Sequence, residues 1–176
     1  RLDTWVALQR FQTGSAKAFE FQRTFDAPRD TMWQAHANAA ALGKWWGPKG
    51  SKITVQTHEF KPGGLFHYVM RYSTGAEMWG RFIYREIVEP RRIVFVNSFS
   101  DASGGIVRAP FSATWPLEVL NVITFDELAG KTLLTLKGGP IGATAAEQRN
   151  FEDMFSSMTQ GFGGTFDQLA EFLAQG

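Results

Sequence analysis

The residue types that most often carry chemistry are few in this sequence and form no catalytic or metal-binding pattern. There is no cysteine, which excludes disulfides, thiolate zinc sites and a cysteine nucleophile. His36, His58 and His67 are not spaced as metal ligands, and neither H-E-x-x-H nor the G-x-S-x-G of a nucleophile elbow occurs. Gly130-Lys131-Thr132 has the end of a phosphate loop, but Phe125 stands where that loop needs its first glycine. We therefore predict no cofactor and assign no catalytic residue.

Aromatic side chains are better candidates, because ligand pockets are mostly apolar with a few placed polar groups. Trp45 and Trp46 are adjacent, and we expect one to be buried against a sheet and the other to lie at a pocket mouth. Purely structural packing of both is the alternative, since large aromatic side chains usually serve the core. In the stretch LFHYVMRY, alternation places three candidates on one face: Phe66, Tyr68 and Met70.

The stretch AEMWGRFIYRE has two different faces, and its sequence leaves open which one lines a pocket. One face carries Met78, Gly80, Phe82 and Tyr84, and the other carries Glu77, Trp79, Arg81 and Ile83. With Trp79 and Arg81 inside, an anionic head group becomes a candidate ligand. With the Tyr84 face inside, a neutral apolar ligand is favoured and the hydroxyl serves as its handle.

An asparagine and an apolar stripe complete the candidate set. Asn121 in EVLNVITF alternates with apolar residues on one face. A buried asparagine needs partners, so Asn121 is either hydrogen-bonded within the protein or faces a ligand or water. The last segment repeats apolar residues at three- and four-residue steps, and it supplies Phe155, Met158 and Phe162 to the predicted pocket.

Composition limits the partners of this 176-residue chain, which has about one domain's length. Lys plus Arg number 18 and Asp plus Glu 17, so the formal net charge of +1 gives no electrostatic case for a nucleic-acid partner. No apolar run approaches the roughly 20 residues of a membrane span, and the start lacks the apolar stretch of a signal peptide. We therefore expect a cytoplasmic protein without nucleic-acid partner or membrane span.

The patterns along the chain follow the order strand, two short helices, six strands, long helix. We interpret residues 1–16 as an N-terminal arm and 17–176 as one domain. Period-two alternation over 18–26 predicts the first strand, and the later strands are joined by hairpin-sized connections, which predicts an antiparallel sheet. The sequence is therefore typical of an α+β protein.

Three later segments complete this prediction. Residues 101–116, rich in Gly and Pro, form a long loop of the kind that often covers a site. Residues 138–144 are predicted as a loop and 144–174 as one continuous helix. Glycines at 161, 163 and 164 within this helix predict either a close approach to another element or a bend.

Five short motifs follow one another along the chain: Trp45-Trp46-Gly47-Pro48, Phe60-Lys61-Pro62-Gly63-Gly64, Val69-Met70-Arg71, the block from Trp115-Pro116 to Thr124-Phe125, and Gly161-Phe162 with Asp167-Gln168-Leu169. Together they resemble the SRPBCC superfamily of START and birch-pollen-allergen type, over about residues 18–174. The branch they most resemble is the C-terminal domain of the activator of heat-shock-protein ATPase (Aha-type).

The resemblance implies a helix-grip fold, in which a seven-stranded curved antiparallel sheet wraps around a long C-terminal helix. Two short helices follow the first strand, and a deep apolar pocket lies between helix and sheet. One departure concerns the pocket wall: the branch commonly has Gly-Trp where this chain has Gly161-Phe162, so an indole N–H donor is lost.

Three functions remain in view at this point, because a fold does not settle function. We favour binding of a small hydrophobic or aromatic molecule, or a lipid, between the last helix and the sheet. An enzyme of polyketide cyclase or aromatase type is the first alternative, with Tyr84, Arg81 or Asn121 polarising a substrate. The second, implied by the resemblance, is a co-chaperone domain that stimulates a heat-shock-protein ATPase. A homodimer is kept as a further partner expectation.

Overall fold

Seven strands form a single antiparallel sheet with helices against one face. The computed structural model describes residues 17–176, so the predicted arm 1–16 lies outside the described residues. The strands are β1 (Phe19–Phe25), β2 (Ser51–His58), β3 (Leu65–Tyr72), β4 (Glu77–Val88), β5 (Arg92–Ser100), β6 (Val119–Leu128) and β7 (Lys131–Pro140). Their order across the sheet is β1-β7-β6-β5-β4-β3-β2. The first strand therefore pairs with the last, and every other strand pairs with its neighbour in sequence.

Within residues 17–176, four helices connect and cover this sheet: α1 (Arg29–Ala37), α2 (Ala39–Trp45), α3 (Ala145–Asp153) and α4 (Phe155–Gln175). Asn38 separates the first two, because its extended backbone ends α1 while its side chain accepts a hydrogen bond from the Ala41 amide at 3.1 Å. Thr144 and Glu147 form a capping box that begins α3. The two short helices after the first strand are thus confirmed.

The predicted continuous helix over 144–174 is wrong in one respect, because the chain divides at Met154. The backbone of this residue has φ −93° and ψ 5°, outside the helical region, and α4 begins anew after it. The apolar stripe crosses the break without interruption, and the buried Phe151 packs edge-on against Phe155 with ring centroids 5.5 Å apart. A pattern of apolar spacing therefore gave no sign of the break.

The glycines of α4 differ in what they approach. A Cβ added at Gly161 or Gly163 would meet no atom within 4 Å, whereas one at Gly164 would lie 3.3 Å from Lys49 Cβ. The predicted close approach is therefore found at Gly164 alone among the three.

The sheet bends at two irregularities and extends further than the sequence suggested. Register shifts lie between Val55 and Thr57 in β2 and between Tyr84 and Glu86 in β4. The segment 138–144, predicted as a loop, contributes its first three residues to β7, where Pro140 pairs with Val119. Pro140 ends the strand, as expected for a residue without an amide hydrogen.

The core lies between the inner face of the sheet and α4, where Phe166 and Leu169 are completely buried. Phe166 stacks on Phe21 and Trp45, with ring centroids 5.3 and 6.0 Å away. The predicted α+β architecture, with seven antiparallel strands and a long C-terminal helix in a helix-grip-like arrangement, is confirmed. Within residues 17–176, no helix has the length and apolar character needed to cross a membrane.

Candidate functional site

The core is incomplete at one end of α4, where a cavity of about 380 Å³ separates the helix from β3, β4 and β5. Ser157 and Gly161, both exposed, border it, so the cavity opens along the side of the helix. Its lining comprises Trp46, Gly47, Pro48, Tyr68, Met70, Gly80, Asn97, Ser98, Phe99, Phe111, Trp115, Met154, Ser157, Met158, Gly161, Phe162 and Thr165. A volume of this size lies in the range of small-molecule sites, roughly 300–1,000 Å³.

The floor of the cavity depends on the contact between Tyr68 and Gly80, which are register partners on β3 and β4. A Cβ at Gly80 would lie 2.6 Å from the Tyr68 hydroxyl oxygen, so only glycine lets the phenol ring lie flat across the neighbouring strand. Burial raises the pKa of Tyr68 to about 12. A hydrogen bond from the Trp46 side chain lowers this pKa, but its effect is smaller than that of burial. The hydroxyl is therefore protonated at neutral pH.

Side chains of α4 hold the segment that carries Trp46, which lines one side of the cavity. Thr165 donates a hydrogen bond to the Gly47 carbonyl at 2.9 Å, and Gln168 Nε2 donates to the carbonyls of Trp45 and Gly47 at 3.0 and 2.8 Å. These bonds satisfy carbonyl groups at the end of α2 and just after it that have no partner in the helix. They fix the segment that presents the Trp46 ring to the cavity.

The loop 101–116 forms the roof, with Phe111 and Trp115 on the cavity. The Phe111 ring is 57% exposed and meets the Trp115 ring at a centroid distance of 5.8 Å, so it stands at the mouth. Arg108 Nη1 ties this loop to α3 by donating to Glu147 Oε2 at 2.7 Å, and within the loop it also donates to the Trp115 carbonyl at 3.1 Å. The Arg108 guanidinium holds the pKa of Glu147 below its usual value.

A second contact joins the same loop to α3. Asn150 Nδ2 donates to the hydroxyl oxygens of Ser112 and Thr114, each at 3.0 Å. We call the Arg108–Glu147 pair and this asparagine bridge the loop latch. Both contacts lie away from the lining of the cavity.

Two amides form the polar end of the cavity. Asn121 Nδ2 donates to Asn97 Oδ1 at 2.9 Å and to the Val119 carbonyl at 3.2 Å. Asn97 borders the main cavity, and both amides border an adjoining lobe of about 170 Å³ beneath the loop 101–116. Asn121 was predicted either to be hydrogen-bonded within the protein or to face a ligand or water. These contacts correspond to the first of these roles.

The chemistry available at this site is limited. Within the described residues, the cavity lining contains no Asp, Glu, His, Lys or Arg. Nor do residues 17–176 bring three His, Asp or Glu side chains together in an arrangement that could hold a metal ion. The arrangement can enclose an apolar molecule and offer it neutral hydrogen-bonding groups.

The sequence of this chain matches a known family. A family model described as Activator of Hsp90 ATPase homolog 1-like protein (AHSA1) matches residues 26–174. The chain belongs to the AHSA1 family. This confirms the resemblance to the SRPBCC superfamily and its Aha-type branch, whereas no curated protein matches the chain.

Solved structures of bacterial proteins share the AHSA1 fold of this chain. A Mycobacterium smegmatis protein is 28% identical, with a TM-score of 0.73, and the match covers 89% of this chain and 90% of the other. An Arthrobacter aurescens protein is 23% identical, with a TM-score of 0.76 and coverage of 92% and 88%. The AHSA1 protein of Silicibacter pomeroyi is 18% identical, with a TM-score of 0.68 and coverage of 90% and 99%.

The AHSA1 domain brings about half of the sequence-predicted site residues to the cavity. Five line its main volume: Trp46, Tyr68, Met70, Met158 and Phe162. Asn121 borders the adjoining lobe instead. The face of β4 that carries Gly80 is the inner one, which corresponds to the neutral-ligand alternative.

Four other predicted site residues lie in the packed core beside the cavity. Trp45 is 1% exposed, and its indole Nε1 donates to the Ala35 carbonyl at 2.9 Å. Phe66 is completely buried, and Tyr84 shares a hydrogen bond of 3.1 Å with His58 Nε2. Phe155 packs on β1 rather than on the cavity, with its ring 5.7 Å from that of Phe19.

Trp79 and Arg81 lie on the outer face of the sheet, away from the cavity. Trp79 stacks on His67 with ring centroids 5.1 Å apart, and Arg81 Nη1 donates to the Gly104 carbonyl at 2.9 Å. The start of the loop 101–116 folds over this face, where Asp101 O lies 3.1 Å from His67 Nε2. Their location removes the basis for the predicted anionic head group.

The sequence did not predict the other lining residues of the cavity, among them Asn97, Phe99, Phe111 and Trp115. A signal for the first two exists in RIVFVNSFS, because alternation puts Asn97 on the same face as Phe95 and Phe99. Phe111 and Trp115 are in an irregular loop without periodicity, so their inward direction depends on the loop latch.

Proposed function

We propose that this protein binds a small, uncharged apolar or aromatic molecule in the cavity between α4 and the sheet. The observation that carries the proposal is a preformed gap of about 380 Å³ with a mostly apolar lining between α4 and the sheet. Close packing is the rule in protein interiors, so a gap of this size supports a role in binding. The Met158 and Phe162 side chains and the Trp46 ring offer this molecule apolar surface.

The size of the gap limits both the ligand and its affinity. A cavity of roughly 150 Å³ holds one benzene, so this one suits two or three rings. At about 0.5 kcal/mol per non-hydrogen atom, a 14-atom ligand would gain about 7 kcal/mol. This corresponds to a dissociation constant of about 10 µM.

The test is a fluorescence titration with N-phenyl-1-naphthylamine, an uncharged three-ring fluorophore. Gly161→Leu should weaken its binding at least tenfold, because position 161 borders the cavity and shares a helix face with Met158 and Thr165. Gly163→Leu is the matched control, since position 163 also has no atom within 4 Å of an added Cβ but is absent from the lining. No binding to the wild type, or equal binding to both variants, would refute the proposal.

The enzyme alternative has less support. A cyclase or aromatase of the predicted kind needs a matched acid and base at the ligand, and the lining described above has no such pair. Tyr84 and Arg81, two of its three candidate groups, border neither the main cavity nor its lobe. We therefore expect a bound ligand to be released unchanged. Mass spectrometry of the ligand after incubation with the protein measures this.

A second candidate function is stimulation of a heat-shock-protein ATPase, and one surface feature favours it. The loop 101–116 and the residue after it expose four large apolar side chains: Ile106, Val107, Phe111 and Leu117. An exposed apolar group of this kind is typical of a partner surface. A pull-down with a purified Hsp90-type ATPase should then be weakened by Val107→Ser, and absence of binding at about 100 µM would dismiss this function.

A further inference from the structure

Among the described residues, Asn97 is the polar residue that borders all parts of the cavity. It borders the main volume, the lobe beneath the loop 101–116, and a small cleft that leads toward Ile123. It lies on the inner face of β5 between Phe95, which stacks on Phe82 at 4.0 Å, and Phe99. A polar side chain with aromatic neighbours on both sides is well placed to orient a ligand.

The direction of the Asn97 amide follows from its neighbours. The Val119 carbonyl can only accept, so Asn121 must turn its NH₂ group toward it. The same NH₂ group also meets Asn97, which must therefore present its oxygen to Asn121. Turning the Asn121 amide around would set its Oδ1 against the Val119 carbonyl oxygen, and two acceptors cannot form a hydrogen bond with each other.

This arrangement leaves the NH₂ group of Asn97 available. Within residues 17–176, Asn97 Nδ2 donates no hydrogen bond to the protein, and it is absent from the buried polar atoms without a partner. It therefore has access to the cavity that Asn97 borders. A donor in this position needs an acceptor from whatever fills the cavity.

The lining also restricts the charge of the ligand. A charged group would lose its water without gaining an oppositely charged side chain, which disfavours binding strongly. A neutral acceptor, such as a ketone or ester carbonyl, loses less on leaving water and gains the Asn97 hydrogen bond.

We propose that the cavity selects uncharged ligands of two or three rings that carry a carbonyl group, and that Asn97 Nδ2 donates the hydrogen bond that selects them. The inference rests on the proposed function, because it assumes that the cavity is a binding site. Asn97 contacts the ligand, and Asn121 is a positioning residue that orients the Asn97 amide.

The experiment compares fluorene with fluorenone, two three-ring molecules that differ in a CH₂ group and a carbonyl. Both are measured by displacement of N-phenyl-1-naphthylamine. In the wild type, fluorenone should bind about fivefold more tightly than fluorene, as expected for one net hydrogen bond. In Asn97→Leu, which keeps the shape of the side chain, this ratio should fall to about one.

Asn97→Asp is a sharper variant, because its carboxylate still accepts from Asn121 Nδ2 but has no NH₂ group to offer the ligand. The ratio should fall to one or below. A wild-type ratio of one, or a fivefold ratio that persists in both variants, would overturn the inference while leaving the proposed function intact. Failure of both fluorene and fluorenone to displace the fluorophore would count against the proposed function itself.

A spectroscopic measurement on the wild type covers the case in which the variants do not fold. The infrared carbonyl stretch of bound fluorenone should shift to lower wavenumber than in hexane, because a hydrogen bond weakens the C=O bond. The difference between spectra recorded with ¹²C and ¹³C at the ketone carbon identifies the ligand band against the protein amide bands. A bound ketone that absorbs where it does in hexane would overturn the inference.

Discussion

His36 is the most strongly perturbed histidine of the described chain. Its Nδ1 lies 2.8 Å from the Met32 carbonyl and must carry the proton that it donates, while Nε2 is buried without a partner. The rings of Trp45 and Phe125 meet it edge-on, with centroids 4.8 and 4.9 Å away. Burial lowers the pKa of His36 from 6.5 to about 4, and the Met32 hydrogen bond opposes this only in part.

This shift predicts a loss of stability in mild acid. The folded protein excludes a proton that the unfolded chain binds below about pH 6.5, so the penalty grows as the pH falls and levels off below about pH 4. At pH 5 it amounts to about 2 kcal/mol relative to pH 7. Urea unfolding at the two pH values, for the wild type and His36→Leu, measures it.

The comparison between the two proteins isolates His36 from the other titrating groups. The wild type should lose about 2 kcal/mol more than His36→Leu between pH 7 and pH 5. Equal losses in the two proteins would show that the imidazole of His36 accepts a proton in the folded state.

At the residue scale, the sequence could predict which strands carry the site but only part of the site itself. Alternation correctly put Tyr68 and Met70 on one face of β3, since that face is uniformly apolar. It could not choose between the faces of β4, because each contains a large aromatic side chain. The choice depends on a long-range event: the start of the loop 101–116 covers Trp79 and Arg81 from outside.

At the element scale, the loop 101–116 is held over the cavity by few contacts. Arg108 and Glu147 form the stronger half of the loop latch, and the Arg108 side chain is about half exposed while that of Glu147 is mostly buried. Glu147 also accepts from the Thr144 amide at 3.1 Å, as part of the cap that begins α3. The same carboxylate therefore fixes a helix end and the roof of the cavity.

Loosening this latch should speed ligand exchange. Glu147→Gln keeps the capping box, which accepts glutamine as well as glutamate, but removes the charge that pairs with Arg108. Loss of about 1 kcal/mol from the closed loop should raise the dissociation rate of N-phenyl-1-naphthylamine about fivefold. Stopped-flow competition with excess fluorenone measures this rate.

Arg71→Met provides the control for this experiment, because it breaks an exposed ion pair of similar length, 2.8 Å to Glu77, away from the cavity lining. Its dissociation rate should equal that of the wild type. A Glu147→Gln protein with the wild-type rate would show that the loop does not limit ligand exchange.

Element boundaries were predictable where a local signal marks them. Asn38 caps α2 and ends α1, so two helices were evident from the chain itself. The break at Met154 carries no such signal, because the apolar stripe runs through it and a methionine is a good helix former. It follows instead from the packing of α3 and α4 against different parts of the molecule: α3 touches β7, and α4 touches β1 and α2.

At the scale of the whole molecule, the cavity is an unfilled part of the core. A ligand in it should therefore stabilise the fold as a buried core side chain does. Phe166 and Leu169 complete the packing at one end of α4, while Met158 and Phe162 face the gap at the other. A ligand in the gap would therefore add apolar contacts between α4 and the sheet at the end of the helix where the packing of the protein is incomplete.

Binding should in consequence raise the thermal stability of the entire domain. At a fluorenone concentration about ten times the dissociation constant, ligand linkage adds about 1.4 kcal/mol to the free energy of unfolding. For a chain of this length, that corresponds to a rise in Tm of about 3–6 °C. Differential scanning calorimetry should find this rise in the wild type and in Gly163→Leu. Gly161→Leu should respond by less than about 1 °C, because its own side chain already occupies the gap, and an equal rise in all three proteins would place the ligand outside the cavity.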